Sequence, residues 1–175
     1  MSSTRVPLLL ALAALSAASS PAASQTLTEP LRFLEPLLGR DWTGMMTAPD
    51  GSAQWRTTRR FERMWDGSVV KFTSATPDVG SAAEGYLYWD REAGRVAVLV
   101  VNGRGVYQRG SAALEDGIVS IRGVISFPER SFEFRNTFDL RPDGRLVDRW
   151  FQNAFGSWRP GHVVELTAAP TREDE

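Results

Sequence analysis

His162 is the only histidine among 175 residues, cysteine is absent, and Lys71 is the only lysine. These counts remove whole classes of chemistry. No thiol nucleophile exists, no lysine-based site can form away from position 71, and a zinc site would have to be built almost entirely from carboxylates. A Ser-His-Asp arrangement would depend on His162 with residues such as Asp148 and Ser157, and no nucleophile-elbow spacing accompanies them. Asp148 with Glu133 or Asp139 offers a carboxylate pair for acid–base work, but nothing in the spacing selects it. Gly103-Arg104-Gly105 looks like a piece of a phosphate loop, yet no helix start follows, so it reads as a hairpin turn. No catalytic residue is assigned.

The clearer polar signal is arginine set among aromatic residues. Strict alternation puts Trp55, Thr57, Arg59, Phe61, Arg63 and Trp65 on one face of a strand, whereas the other face, through Gln54, Arg56, Thr58, Arg60 and Glu62, is more polar. With the aromatic face inward, Arg59 and Arg63 can hold the carboxylate or phosphate head of an amphipathic ligand while Trp55 and Phe61 take its tail. The competing reading ties these arginines to Glu62, Glu84 or Asp148, or carries them to the rim. Phe132, Phe134, Asn136, Phe138 and Leu140 likewise share a face, opposite Ser131, Glu133, Arg135, Thr137 and Asp139. In the last strand Trp158, His162, Val164 and Leu166 fall together, which places the histidine on the apolar side. The expected ligand-binding set is therefore Trp55, Arg59, Phe61, Arg63, Phe132, Phe134, Asn136, Phe138, Trp150 and His162.

These side chains must be positioned by strands. Ten strand-like runs follow one another at 41–47, 53–65, 68–74, 82–90, 95–102, 105–115, 118–127, 130–140, 146–153 and 157–167. Asp50-Gly51, Asp66-Gly67, Ala93-Gly94, Asp116-Gly117 and Asp143-Gly144 supply tight turns between them, and Pro128 breaks another pair. Connections this short hold no crossover helix, so neighbouring strands pair antiparallel and the fold class is all-β, a meander barrel. One helix is expected over 27–38, with Thr28 as cap, Pro30 in the first turn, Leu31, Leu34, Leu37 and Leu38 on one face, and Pro36 keeping it short. It closes one mouth of the barrel. The run Val96-Ala97-Val98-Leu99-Val100-Val101 does not alternate, which implies burial on both sides or an exposed apolar patch.

Residues 1–24 read as a secretory signal peptide. Arg5 is followed by an apolar run from Val6 to Leu15 and a small-residue stretch at 17–24. That run, about ten residues, is too short to span a bilayer that needs roughly 20, so no stable membrane insertion is expected. The remainder is one barrel domain, 25–170, with a charged tail at 171–175. Lysine and arginine number 20 against 21 acidic residues, so no basic excess exists to bind nucleic acid. Abundant alanine and arginine point to a bacterial source, and with the signal peptide that implies export to the periplasm.

A short helix, then Leu37-Leu38-Gly39 with Trp42-Thr43-Gly44 opening the first strand, then a long meander, resembles the calycin superfamily of lipocalins, fatty-acid-binding proteins and nitrobindin-like haem barrels. One extra residue separates Gly39 from Trp42 compared with the usual Gly-x-Trp. The segment from Tyr86-Leu87-Tyr88-Trp89-Asp90 to Phe151 is similar to exported lipocalin-like bacterial domains of unassigned function. The resemblance implies that Trp42 packs over the closed end under an arginine, Arg159 or Arg149. It also implies that a small hydrophobic or amphipathic molecule is bound inside. The nitrobindin-like branch implies instead haem on His162 as axial iron ligand, with isomerase activity as an associated expectation, although the Tyr-Pro-Thr signature of that branch is replaced by Thr47-Ala48-Pro49-Asp50-Gly51. A third expectation is a filled barrel that acts through its surface near 96–101.

Overall fold

The computed structural model describes residues 26–154 and 156–169; the expected signal peptide at 1–24 and charged tail at 171–175 lie outside the described residues. Ten strands follow in order: β1 Asp41–Thr47, β2 Gln54–Met64, β3 Val69–Thr76, β4 Ser81–Asp90, β5 Arg95–Asn102, β6 Tyr107–Glu115, β7 Ile118–Ser126, β8 Ser131–Leu140, β9 Leu146–Ala154 and β10 Ser157–Ala168. Each pairs antiparallel with its neighbour in sequence, and β1 pairs with β10 from Trp42↔Ala168 to Thr47↔Val163. The sheet is thus a closed barrel with no free edge. At the β6–β7 hairpin Asp116 and Gly117 both have positive φ, 51° and 79°, as a two-residue turn between right-twisted strands requires.

One end of the barrel is plugged. The N-terminal segment forms a 3-10 helix at Glu29–Leu37, shorter and tighter than the helix expected over 27–38, and Thr28 makes no side-chain cap. Pro36 has no N–H to give an α-helical ladder, which favours the short, tight form. Leu27, Leu31, Leu34 and Leu37 are buried against the barrel, and the Trp42 indole N–H donates to the Leu37 carbonyl at 3.0 Å. Trp42 thus packs over the closed end as expected. The cation over its ring is Arg40, 5.5 Å from the centroid, in place of the Arg159 or Arg149 anticipated.

Above the plug the inward residues form an aromatic layer. Phe61 lies 5.1 Å from Phe72 and 5.4 Å from Phe138, the latter edge to face. Val98, Val100, Ile121 and Leu87 close around these rings, so the lower half of the barrel is filled. Gly44 of β1 marks the closest approach in the wall, since a Cβ there would run into the Glu165 carbonyl of β10.

Two expectations about inward side chains are corrected. β10 carries a bulge between Pro160 and Val163. The extra residue reverses the alternation, so His162, Val164 and Leu166 face inward while Trp158 is exposed on the outer wall. Arg63 keeps the parity of Phe61, opposite buried Val70, but it lies near the plugged end of β2, is exposed and does not line the cavity. The run at 96–101 is buried without alternation over Val96, Ala97 and Val98, and beyond them Val100 is buried while Leu99 and Val101 form the exposed apolar patch that was one of the two expectations.

A Gly44→Ala substitution is expected to force β1 and β10 apart. Overpacking of this kind costs roughly 1–3 kcal/mol, read as a lower midpoint in chemical unfolding with an unchanged slope.

Candidate functional site

Moving two residues along each strand away from the plug changes the character of the interior. Phe61 gives way to Arg59, Phe72 to Ser74, Phe138 to Asn136, Leu146 to Asp148 and Val100 to Asn102. This polar layer borders a cavity of about 260 Å³, which also meets Met46, Val79, Val106, Gln108, Trp150 and His162. Its floor is the phenylalanine layer and its mouth is the rim opposite the plug.

Arg59 and Asp148 form a buried ion pair. Their residues are 5% and 1% exposed, and the Arg59 Nε–H donates to Asp148 Oδ2 at 3.3 Å. Arg59 Nη1 donates to Thr57 Oγ1 at 2.6 Å, to Ser74 Oγ at 2.7 Å and to the Thr58 carbonyl at 3.1 Å. Asn136 Nδ2 donates to the second Asp148 oxygen at 2.7 Å. Both oxygens of the carboxylate are therefore satisfied, which burial of a charge demands. The sequence reading that tied Arg59 to Asp148 describes this geometry; the reading in which Arg59 awaits an anionic ligand does not.

His162 completes the wall. Its ring lies 6.0 Å from Trp150 with an interplanar angle of 14°, and Trp150 stacks on Phe134 at 4.7 Å and 7°. The indole is thus bracketed by rings from β8 and β10, the strands that flank β9. The backbone of Gly161 leaves room for it, since a Cβ at 161 would strike the indole. Burial lowers the His162 pKa below its ordinary 6.5; the Asp148 charge opposes this and the Arg59 charge adds to it. His162 is therefore neutral at pH 7.

Of the other residues expected at the site, Asn136 and Trp150 line the cavity, while Phe61, Phe134 and Phe138 are core residues beneath or beside it. Phe132 is half-buried and stacked on Phe127 at 5.3 Å, and Trp55 is half-buried outside the cavity lining. Ser74, Thr76, Asn102 and Gln108 were not anticipated. Their signal was present in strand parity, but β5 is apolar on both faces and β3 and β6 lack a clear apolar face, so parity did not show which side is in. A larger hollow of about 760 Å³ lies over the outer wall of β1–β5, lined by Asp41, Thr58, Arg60, Thr73 and Glu84 among others. Its charges are already matched, Arg60 with Asp41 and Lys71 with Glu84.

A haem on His162 does not fit this cavity. The space is under the roughly 300–1,000 Å³ of typical small-molecule pockets, and a porphyrin with its propionates is a large ligand. The imidazole is near-parallel to the Trp150 indole at 6.0 Å, and the Arg59 charge is already matched by Asp148. Among the described residues no group of three or more His, Cys, Asp or Glu is placed to hold a metal ion.

No protein-family model matches this chain, and no curated protein sequence matches it. Among solved structures it is similar to Rv2717c from M. tuberculosis, with a TM-score of 0.57 and 16% identity over 82% of this chain and 99% of that one. That likeness shows a shared barrel fold.

Two outcomes are expected. Asp148→Ala strands a buried guanidinium and is expected to cost about 3–5 kcal/mol in chemical unfolding, while Arg59→Met with Asp148→Leu costs less than the sum of the two single changes. For His162 the folded pKa lies below the unfolded one, so the unfolded chain binds the extra proton and stability falls as pH drops below about 6.5. Thermal melts from pH 7.5 to 5 are expected to show a smaller decline in His162→Gln than in the native protein.

Proposed function

We propose that the protein is a calycin-type binding barrel, exported to the periplasm, that holds one small amphipathic molecule in the cavity between the rim and the Arg59–Asp148 pair. The observation that carries this is the cavity itself. A barrel plugged by leucines at one end and filled with phenylalanine through its lower half opens, at the other end, onto a pocket lined by Ser74, Asn102, Gln108, Asn136 and His162. A purely structural interior would be apolar there, because each buried polar group costs stability unless it is bonded.

The lining sets the orientation. The polar end of the ligand goes inward, to the layer above the phenylalanines, and its apolar part lies toward Met46, Val79 and Val106. The polar end then lies at the Arg59 layer, but no fatty-acid tail can lie along Phe61, because it would need the space Phe61, Phe72 and Phe138 occupy. The cavity volume of about 260 Å³ favours a compact molecule over a long-chain lipid.

Surface action is the second reading. Leu99 and Val101 are 41% and 46% exposed, and Tyr107, opposite Val101 in the register, is 38% exposed. This patch on β5 and β6 is of the kind that marks contact surfaces.

Native mass spectrometry of the protein from a periplasmic expression host separates the two. The binding reading predicts an added mass in the native protein and its loss in Ala83→Phe, which fills the cavity from β4 while the protein still melts cooperatively. A bare polypeptide mass that stays bare after incubation with host extract counts against it.

A further inference from the structure

The charges inside this cavity cancel, and that restricts what can enter it. Resting on the binding reading above, we propose that the cavity selects an uncharged ligand bearing a carboxamide-type group, and discriminates against the corresponding carboxylate and amidinium.

The argument starts with Asn136. Asp148 can only accept hydrogen bonds, so the Asn136 amide must turn its NH₂ toward it, as it does at 2.7 Å. Asn136 Oδ1 is thereby fixed as an acceptor with no bond to any described residue. A carboxylate placed against it would meet a carbonyl oxygen backed by the Asp148 charge. The one cation lining the cavity is already matched: Arg59 pairs with Asp148 through Nε and shares Nη1 among Thr57, Ser74 and the Thr58 carbonyl, so an anion that reached its Nη2 would meet a pair with no net charge. Adding an anion leaves the cavity one charge in excess at low local dielectric.

A cationic ligand fails for the mirror reason: the Asp148 oxygens are both used, and Arg59 repels it. What remains unused is a matched set of neutral groups. The Gln108 amide donates and accepts, and neither it nor His162 makes a side-chain hydrogen bond among the described residues. The His162 imidazole, neutral in its apolar stack, offers one donor and one acceptor. A carboxamide, lactam or similar group satisfies these reciprocally: its N–H to Asn136 Oδ1, its carbonyl to a donor from Gln108 or His162. A site built to make such bonds rejects a partner that cannot make them.

Three molecules of nearly one shape test this: benzamide, benzoate and benzamidinium, titrated calorimetrically into the full chain at pH 7.5. Benzamide is expected to bind at least tenfold more tightly than either ion. Asp148→Asn removes the countercharge of Arg59, and is expected to raise benzoate affinity relative to benzamide at least tenfold. The neutral double variant Arg59→Gln with Asp148→Asn removes both charges and lets the Asn136 amide turn either way, so it is expected to narrow the benzamide preference over benzoate severalfold, and it carries the test should the single variant fail to fold. Benzoate binding as tightly as benzamide overturns the selectivity and leaves the binding reading standing. Failure of all three to bind the folded protein overturns both.

Discussion

The contact between Arg59 and Asp148 governs the interior. A guanidinium placed in a β-barrel core is tolerable only with a charge partner and hydrogen bonds to its N–H groups, since the unpaired ion would cost several kcal/mol. Here the partner comes from the opposite side of the chain order, β2 meeting β9 across the lumen, and the remaining bonds come from Thr57, Ser74 and Asn136. Such a pair adds little net stability relative to an apolar replacement. It does fix the positions of four strands' side chains at one level of the barrel, and it determines where the apolar packing ends and the cavity begins.

The two halves of the barrel divide the work. Leucines of the 3-10 helix and the phenylalanine layer bury the apolar surface a cysteine-free domain of this size needs for stability, without disulfides. That filling is why the cavity is small and confined to one end. It is also why polar groups can be retained above it: the stability they forgo is supplied below.

Much of this could be read from residue order. The ten strands, their antiparallel order and their turns were legible because period-two alternation and Asp-Gly turns are local signals, and nearly every boundary falls within a residue or two of the expected one. The inward side of β2 was legible for the same reason, which placed Arg59 correctly. Arg63 was misplaced by that very rule, since alternation says nothing about how near the plugged end a residue lies. Trp158 was misplaced because one extra residue at Pro160–Val163 reverses parity, and no local pattern announces a bulge.

The sequence by itself determined an all-β meander with a short helical plug, because hairpin turns and side-chain periodicity are decided by neighbours along the chain. It determined as well that thiols and clusters of imidazole ligands take no part in the chemistry. Only the tertiary structure decided that Arg59 meets Asp148, 89 positions away, that Trp150 is held between Phe134 and His162, and that the cavity is polar, neutral and compact. Those properties arise from closing the barrel. Residues far apart in sequence come level across the lumen, and whether a buried arginine is free or neutralised depends on which side chain closure brings opposite it.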